Sequence, residues 1–333
     1  MKSWRSSECE SIQTGYCGWL RKRSIMIRYF ISRILMLIPT LVGITLVSFL
    51  ILQLIPGDPA RTIAGLEADE EAVQSVRKQL GLDRPILVQY GRFLKNTITG
   101  NLGQSIRTKN EVFAEIWPRF LNTLKLSIVS IVLSIILGVV AGTVAATRKN
   151  TAVDYITMLM VLLGISTPTF WSGLVIILIF SVYLGWFPSG GAQGMASLVL
   201  PAIALAAPSI AITARMTRSS MLEVLRQDFI KTARAKGQME FYVVYGHALK
   251  NALIPTVTIV GLQFGYLMGG AVLVETVFTW PGLGRLIVDS ILTRDYPIVQ
   301  AGVMLFAISF VGINLAVDLL YTYLDPRISY DHK

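Results

Sequence analysis

The side chains in this sequence that could carry catalysis are few and scattered. His247 and His332 are the only histidines, and Cys9 and Cys17 the only cysteines. The histidines lie far apart. The cysteines fall in the N-terminal tail with no histidine beside them, so their spacing does not suit a metal. No GxxxxGKS or GxxxxGKT phosphate loop, GxSxG, HExxH or CxxC occurs, and PGLGRLI (281–287) lacks the third glycine of a dinucleotide fingerprint. An enzyme needs a nucleophile, base or metal constellation, and none is visible. Ionisable residues inside apolar runs are functional candidates. Here Asp154 and Asp318 sit near one set of run ends and Lys125 near the other, where snorkelling is cheap, while Gln263 and Asn314 are neutral. No carboxylate ladder for proton relay emerges. What remains is recognition between surfaces.

One stretch suits that role: RQDFIKTARAKGQMEFYVVYGHALKNALIP (226–255), which is polar and helix-forming between two hydrocarbon runs. Leu222, Leu225, Phe229 and Ala233 are spaced as one stripe of a helix. Glu223 with Arg226 and Asp228 with Lys231 offer local ion pairs. Gly237 is a helix stop, and Phe241, Val244, Tyr245, Ala248 and Ala252 form a second stripe before Ile254-Pro255. The pattern predicts a helix–turn–helix hairpin. A passive charged loop explains the cations, but not two ordered stripes around a glycine. Small Thr232, Ala233 and Ala235 would let another surface approach the backbone. The expected docking set is Lys231, Thr232, Ala233, Ala235, Gly237 and Phe241, with a soluble partner.

The elements that must hold this hairpin are apolar. The 333 residues are 53% hydrophobic and only 15% charged, against about a quarter charged in soluble domains. Six runs, roughly 31–55, 120–146, 155–183, 198–214, 253–274 and 298–320, are long enough to span a bilayer. Pro168 interrupts the third, and Pro201 and Pro208 lie in the fourth; a bundle can re-satisfy the carbonyls they free. The fold class expected is an all-α polytopic membrane protein with six transmembrane helices and a small extracytoplasmic helical cap after the first span. The net charge of +10 is unevenly spread. Eighteen cations fall on the face that carries both termini and the hairpin, while those of 57–118 are matched by acids. That places both termini in the cytoplasm. With no aromatic-interleaved soluble domain, a nucleic-acid patch is disfavoured. A cytoplasmic tail also argues against a disulfide.

Along the chain, residues 1–25 read as an N-terminal cytoplasmic extension, 26–56 as the first transmembrane helix, and 57–118 as an extracytoplasmic helical segment. Residues 119–330 read as a core with five further spans and a cytoplasmic coupling loop at 215–252. Within 57–118, acids Asp69, Glu70 and Glu71 followed by Arg77 and Lys78 predict a helix complementing its dipole. Val73, Val76 and Leu80 form its stripe, and further helices are expected over 86–98 and 110–117. A short amphipathic helix with an Arg285–Asp289 pair is expected over 283–292, and Trp171, Trp186 and Trp280 as interfacial anchors.

KTARAKG (231–237) followed by ALIP resembles the EAA loop of ABC importer permeases. The resemblance covers 26–330. It includes LIPGDPAR (54–61), KQLGLDRP (78–85), GISTPTFW (164–171), HALKNALIP (247–255), ETVFTWPGLGRL (275–286), RDYP (294–297) and NLAVDLLYTYLDPR (314–327). The set is similar to peptide and nickel importer permeases. Lys231 stands where the general pattern has an acid, so no acid–base contact is assigned there, whereas Thr232, Ala233 and Gly237 match. The resemblance implies a multi-pass subunit of the bacterial inner membrane, without enzymatic activity of its own. Its implied partners are membrane lipid, a second homologous permease, two cytoplasmic ATP-binding subunits and an extracytoplasmic substrate-binding protein. It implies no cofactor on this chain, with ATP and Mg used by the partner subunits. Gly164, Pro168 and Pro208 are the expected translocation-path positions, where helices would break. The substrate is a dipeptide, oligopeptide or glutathione, with nickel as the alternative; a self-sufficient secondary transporter is the competing class.

Overall fold

The computed structural model describes residues 35–50, 60–61, 68–80 and 83–324, whose regular structure is helical, joined by turns and irregular chain, with one isolated bridge between Gln104 and Glu111. Readings that fall on the N-terminal extension, on Cys9 and Cys17, on LIPGDPAR before Ala60 and on the last residues lie outside that description. So do the side chains of Val76, Leu80 and Asp318. The first apolar helix, α1, is described over Leu35–Leu50.

Two short helices follow. In α2 (Glu70–Leu80) the Asp69 carboxylate accepts the Ala72 N–H at 2.9 Å, an N-cap of the kind acidic residues favour. Helix α3 (Ile86–Ile98) starts after Pro85 and packs on α1 through a Phe49–Tyr90–Phe93 cluster, with Tyr90 and Thr45 hydroxyls 3.0 Å apart. The helix expected at 110–117 is the start of a longer one. Helix α4 runs unbroken over Val112–Thr147 and carries Pro118 near its beginning.

Helix α5 (Ala152–Ser166) and α6 (Thr169–Ile176, extended by a π-helical segment to Tyr183) form one apolar run bent by 111°. Pro168 sits at that bend: the residue before a proline avoids helical angles, and Thr167 is extended. Helix α7 (Ala196–Val224) passes through Pro201 and Pro208 without interruption. Helices α9 (Leu249–Val277), α10 (Leu283–Leu292) and α11 (Tyr296–Leu324) complete the bundle, after α8 (Asp228–Ala235). Four of these helices are long and apolar enough to cross a membrane, five with the bent pair taken as one.

The bundle centre is the α4–α7 seam. Ser127, Ser130, Ser134, Gly138 and Gly142 recur along one face of α4, all buried. A methyl on Gly138 would lie 2.7 Å from Thr213 Cβ, and one on Gly142 2.5 Å from the Ala214 carbonyl. Small residues let membrane helices meet backbone to backbone, where hydroxyls supply the hydrogen bonds. Ser134 meets Thr213 at 3.2 Å, and Thr213 accepts from Gln263 of α9 at 3.4 Å. Gly261 and Gly265 of α9 instead make room for the side chains of Val317 and Phe310 of α11.

Candidate functional site

Helix α7 does not stop at the edge of the apolar bundle. Its last turns lead through Leu225–Gln227 into α8, which ends at Ala235; Gly237 then turns the chain at φ +74°. The return helix begins at Glu240 and continues through a π-helical turn, Tyr242–Ala248, into α9. Arg234 and Glu240 close the turn as a fork, with Nη2 and Nε donating at 2.6 and 3.1 Å. Their mutual hydrogen bond raises the guanidinium further and lowers the Glu240 carboxyl below its ordinary range. His247 and Gln238 meet at 2.8 Å across the same turn.

The hairpin has two unlike faces. Ile230, Ala233, Val243, Val244, Ala248 and Ala252 pack beneath it against Met221, Val224 and Ala146. Phe229, Met239, Phe241, Tyr242 and Tyr245 stand exposed. Phe241 stacks obliquely on Tyr245, with ring centroids 4.7 Å apart. Most of both expected stripes is buried as spaced, Ala233 in the first and Val244, Ala248 and Ala252 in the second, with Leu222 and Leu225 partly buried beside them, while Phe229, Phe241 and Tyr245 turn outward. The turn after Val224 puts Ile230 rather than Phe229 underneath. The π-helical turn, with its i→i+5 repeat, buries Val243 and Ala248 and turns Phe241 and Tyr245 outward.

The docking candidates fall together on this element. Lys231 is exposed and pairs with Asp228 at 2.9 Å, whereas no ion pair joins Glu223 to Arg226. The Thr232 hydroxyl donates to the Asp228 carbonyl at 3.0 Å, Ala235 is exposed and Ala233 is the buried contact. Nothing lies within 4 Å of where a Gly237 side chain would start.

The three path candidates do not share one helix break. Only Pro168 marks one. Gly164 is a close-packing position whose added methyl would sit 3.1 Å from Ala211 Cβ, and Pro208 lies within continuous α7 because the surrounding bundle keeps the helix together.

At the opposite end of the bundle the structure reveals two buried carboxylates that sequence reasoning passed over. Glu275 is fully buried. It accepts the Thr123 hydroxyl at 2.5 Å and the Arg285 N–H at 3.0 Å, with the Gly284 amide also directed at it, so it caps α10 from the end of α9. Any side chain on Gly282 would overlap that carboxylate. Asp295 takes the Ser105 hydroxyl and the Ile106 N–H, the latter at 3.2 Å, tying the segment before α4 to the start of α11. Trp280 is buried here too, donating to the Asn122 carbonyl at 3.2 Å. It is a core residue and not the interfacial anchor expected, because the Trp280–Gly282 turn folds back over α4. Trp171 and Trp186 are exposed, and Arg285 pairs with Asp289 at 3.7 Å as expected. Among the described residues no three histidine, cysteine or acidic side chains gather as metal ligands would.

Residues 134–330 match the family described as the binding-protein-dependent transport system inner membrane component, and residues 26–127 match its N-terminal membrane component. The chain belongs to this family. The dipeptide transport system permease protein DppB of Alkalihalophilus pseudofirmus is 46% identical over 92% of this chain and 100% of its own length. The glutathione transport system permease protein GsiC of Escherichia coli K12 is 47% identical over the same shares. Among solved structures, the MetNI methionine ABC transporter in inward-facing conformations superposes with a TM-score of 0.56 at 20% identity, covering 64% of this chain and 97% of that one. That likeness is one of fold. This permease is thus a multi-pass membrane protein and a transport subunit of an ABC importer.

Proposed function

We infer that this permease serves an ATP-driven importer of short peptides, with dipeptides and glutathione as the substrate class. The names of its close relatives support the class, and the hairpin carries the mechanism. Its exposed aromatic tip, closed by Arg234–Glu240, is fused through an apolar base to α7. A large apolar patch outside the membrane marks a protein-binding surface. In this reading Lys231, Thr232, Ala233, Ala235, Gly237 and Phe241 form the handle on which one ATP-binding subunit pulls. The chain has six spans, counting the described part of α1, and both termini are cytoplasmic. It sits in the bacterial inner membrane beside a second homologous permease, above two ATP-binding subunits that use ATP and Mg. It binds no cofactor itself, and an extracytoplasmic binding protein delivers the substrate. The path passes Gly164, Pro168 and Pro208.

The test is Gly237→Asp in the assembled importer. Aspartate tolerates positive φ better than most residues and meets open space here, so folding should persist while uptake or assembly with the ATP-binding subunit is lost. Wild-type uptake and assembly would remove the docking assignment. Reconstituted uptake of dipeptide, glutathione and nickel decides the substrate; flux by this chain alone in liposomes would instead make it a secondary transporter.

A further inference from the structure

Asp154, the third residue of α5, was expected to snorkel. It is instead only 2% exposed and takes a fork from Arg218 of α7, Nε to Oδ1 at 2.6 Å and Nη2 to Oδ2 at 2.7 Å. Its Oδ2 also accepts the Asn150 N–H at 3.0 Å, fixing the tight turn between α4 and α5. A partly buried bidentate pair of this kind is geometrically demanding and sets how its two helices meet.

The position of the pair gives it a role. Helix α5 runs antiparallel to α7: Asp154 meets Arg218, Val161 packs with Ala214 and Ala211, and Gly164 lies on Ala211 and Ala207. Beyond Gly164 comes the 111° bend into α6. Between the pair and the bend the α5–α7 seam is small and apolar, with the ion pair fixing its register at the hairpin end. On the other side of Arg218, Met221 and Val224 are embedded in the apolar base of the hairpin. The last turns of α7 and the hairpin thus form one body. Gly142 binds α4 to the same place, where an added methyl would lie 3.0 Å from the Arg218 backbone nitrogen.

We propose that Arg218 and Asp154 are positioning residues for energy coupling: the joint through which a displacement of the hairpin reaches the bent α5–α6 pair. This rests on the docking reading above. Without the joint, the hairpin can still be gripped and moved, but α7 slips along α5 and the bend does not follow.

The experiment uses the complete importer with its binding protein in proteoliposomes, measuring ATP hydrolysis and peptide uptake on the same samples. The main variant is the double substitution Asp154→Asn with Arg218→Met, which leaves no lone buried charge and keeps an acceptor for Asn150. Assembly and ATP hydrolysis should survive while uptake per ATP falls about tenfold, the usual scale of a coupling between sites. Arg218→Lys, with the charge but without the fork, should recover part of the coupling. Uptake per ATP equal to wild type in the double variant overturns the proposal. So does a parallel loss of uptake and ATP hydrolysis in both variants, which marks a purely structural pair. Gly237→Asp, run alongside, separates the two ideas. If it leaves assembly and uptake intact the docking reading fails, whereas if it uncouples and the double variant does not, only the joint fails.

Discussion

The α10 end of this bundle and the tip of its hairpin use acidic residues in opposite ways. At the α10 end, Glu275 and Asp295 are buried and satisfied by hydroxyls and main-chain N–H groups, and Gly282 and Gly284 leave no space beside Glu275. At the hairpin tip, beyond the buried Asp154, Asp228 and Glu240 pair with Lys231 and Arg234 in solvent, and Gly237 turns in the open. A buried carboxylate that loses its donors is costly, so the first end has one arrangement. Exposed ion pairs contribute about 0–1 kcal/mol, so the second stays adjustable and leaves its aromatic residues uncovered. One end is closed internally, and the other leaves an aromatic face uncovered.

Substitutions can break this contrast. Gly282→Ala forces a methyl into the Glu275 carboxylate and should lower stability by about 4 kcal/mol, at the extreme of single mutations. Thermal unfolding in detergent measures it, and a near-wild-type midpoint would mean this end is not locked. Gly142→Leu wedges α4 from α7 and should cost about 3 kcal/mol by overpacking, read by the same assay. At the hairpin the effect should move from stability to binding. Phe241→Ala should leave the melting midpoint nearly unchanged while weakening association with the ATP-binding subunit by about 2 kcal/mol, the level of an interface hot spot. Equal losses in both assays would make Phe241 a core residue. Gly237→Asn, keeping the turn without a charge, should change stability by less than about 1 kcal/mol. It is the control that separates charge from shape in the aspartate variant.

The smallest effect concerns acid. Arg234 holds the Glu240 carboxyl below its ordinary range, chiefly through their hydrogen bond. A lowered carboxyl contributes stability above its unfolded value and loses it as pH falls through the lowered, folded one. The pair should thus be intact at neutral pH and weaken only below the ordinary glutamate range. With side chains 44% and 60% exposed, the change should stay under about 1 kcal/mol. Amide exchange across 236–241, corrected for intrinsic rate, should show looser protection in acid. Unchanged protection would mean that the Gly237 turn stands without the pair.

What could be read directly from the sequence was whatever its own neighbours determine. The dipole-complementing charges of α2, the Arg285–Asp289 pair, the Gly237 turn and the bend at Pro168 are all written within a few residues. Glu275 was opaque because its hydroxyl partner, Thr123, is 152 positions away, and because it opens a stretch that reads as a loop. Trp280 looked like an anchor for the same reason: only the fold brings Asn122 to its indole. Phe241 and Tyr245 were read into the second apolar stripe but stand exposed, since helical periodicity assumes α geometry and Tyr242–Ala248 is π-helical. Pro208 was credited with a break that the packed bundle suppresses, and Asp154 with a solvent exposure that Arg218 removes.

The way Glu275 is satisfied also shapes how this region can drift. At α10 its partners are main-chain amides, which every residue except proline carries. The Glu275 lock itself does not use the side chain at 285, which donates instead to the Thr279 carbonyl at 2.7 Å and pairs with Asp289. The positions that cannot move are those with nothing to contribute: Gly282, and Gly284 against Val272 and the same carboxylate. A saturating substitution scan of 282–286 should thus find its sharpest intolerance at the two residues that lack side chains, not at the charged one between Gly284 and Leu286.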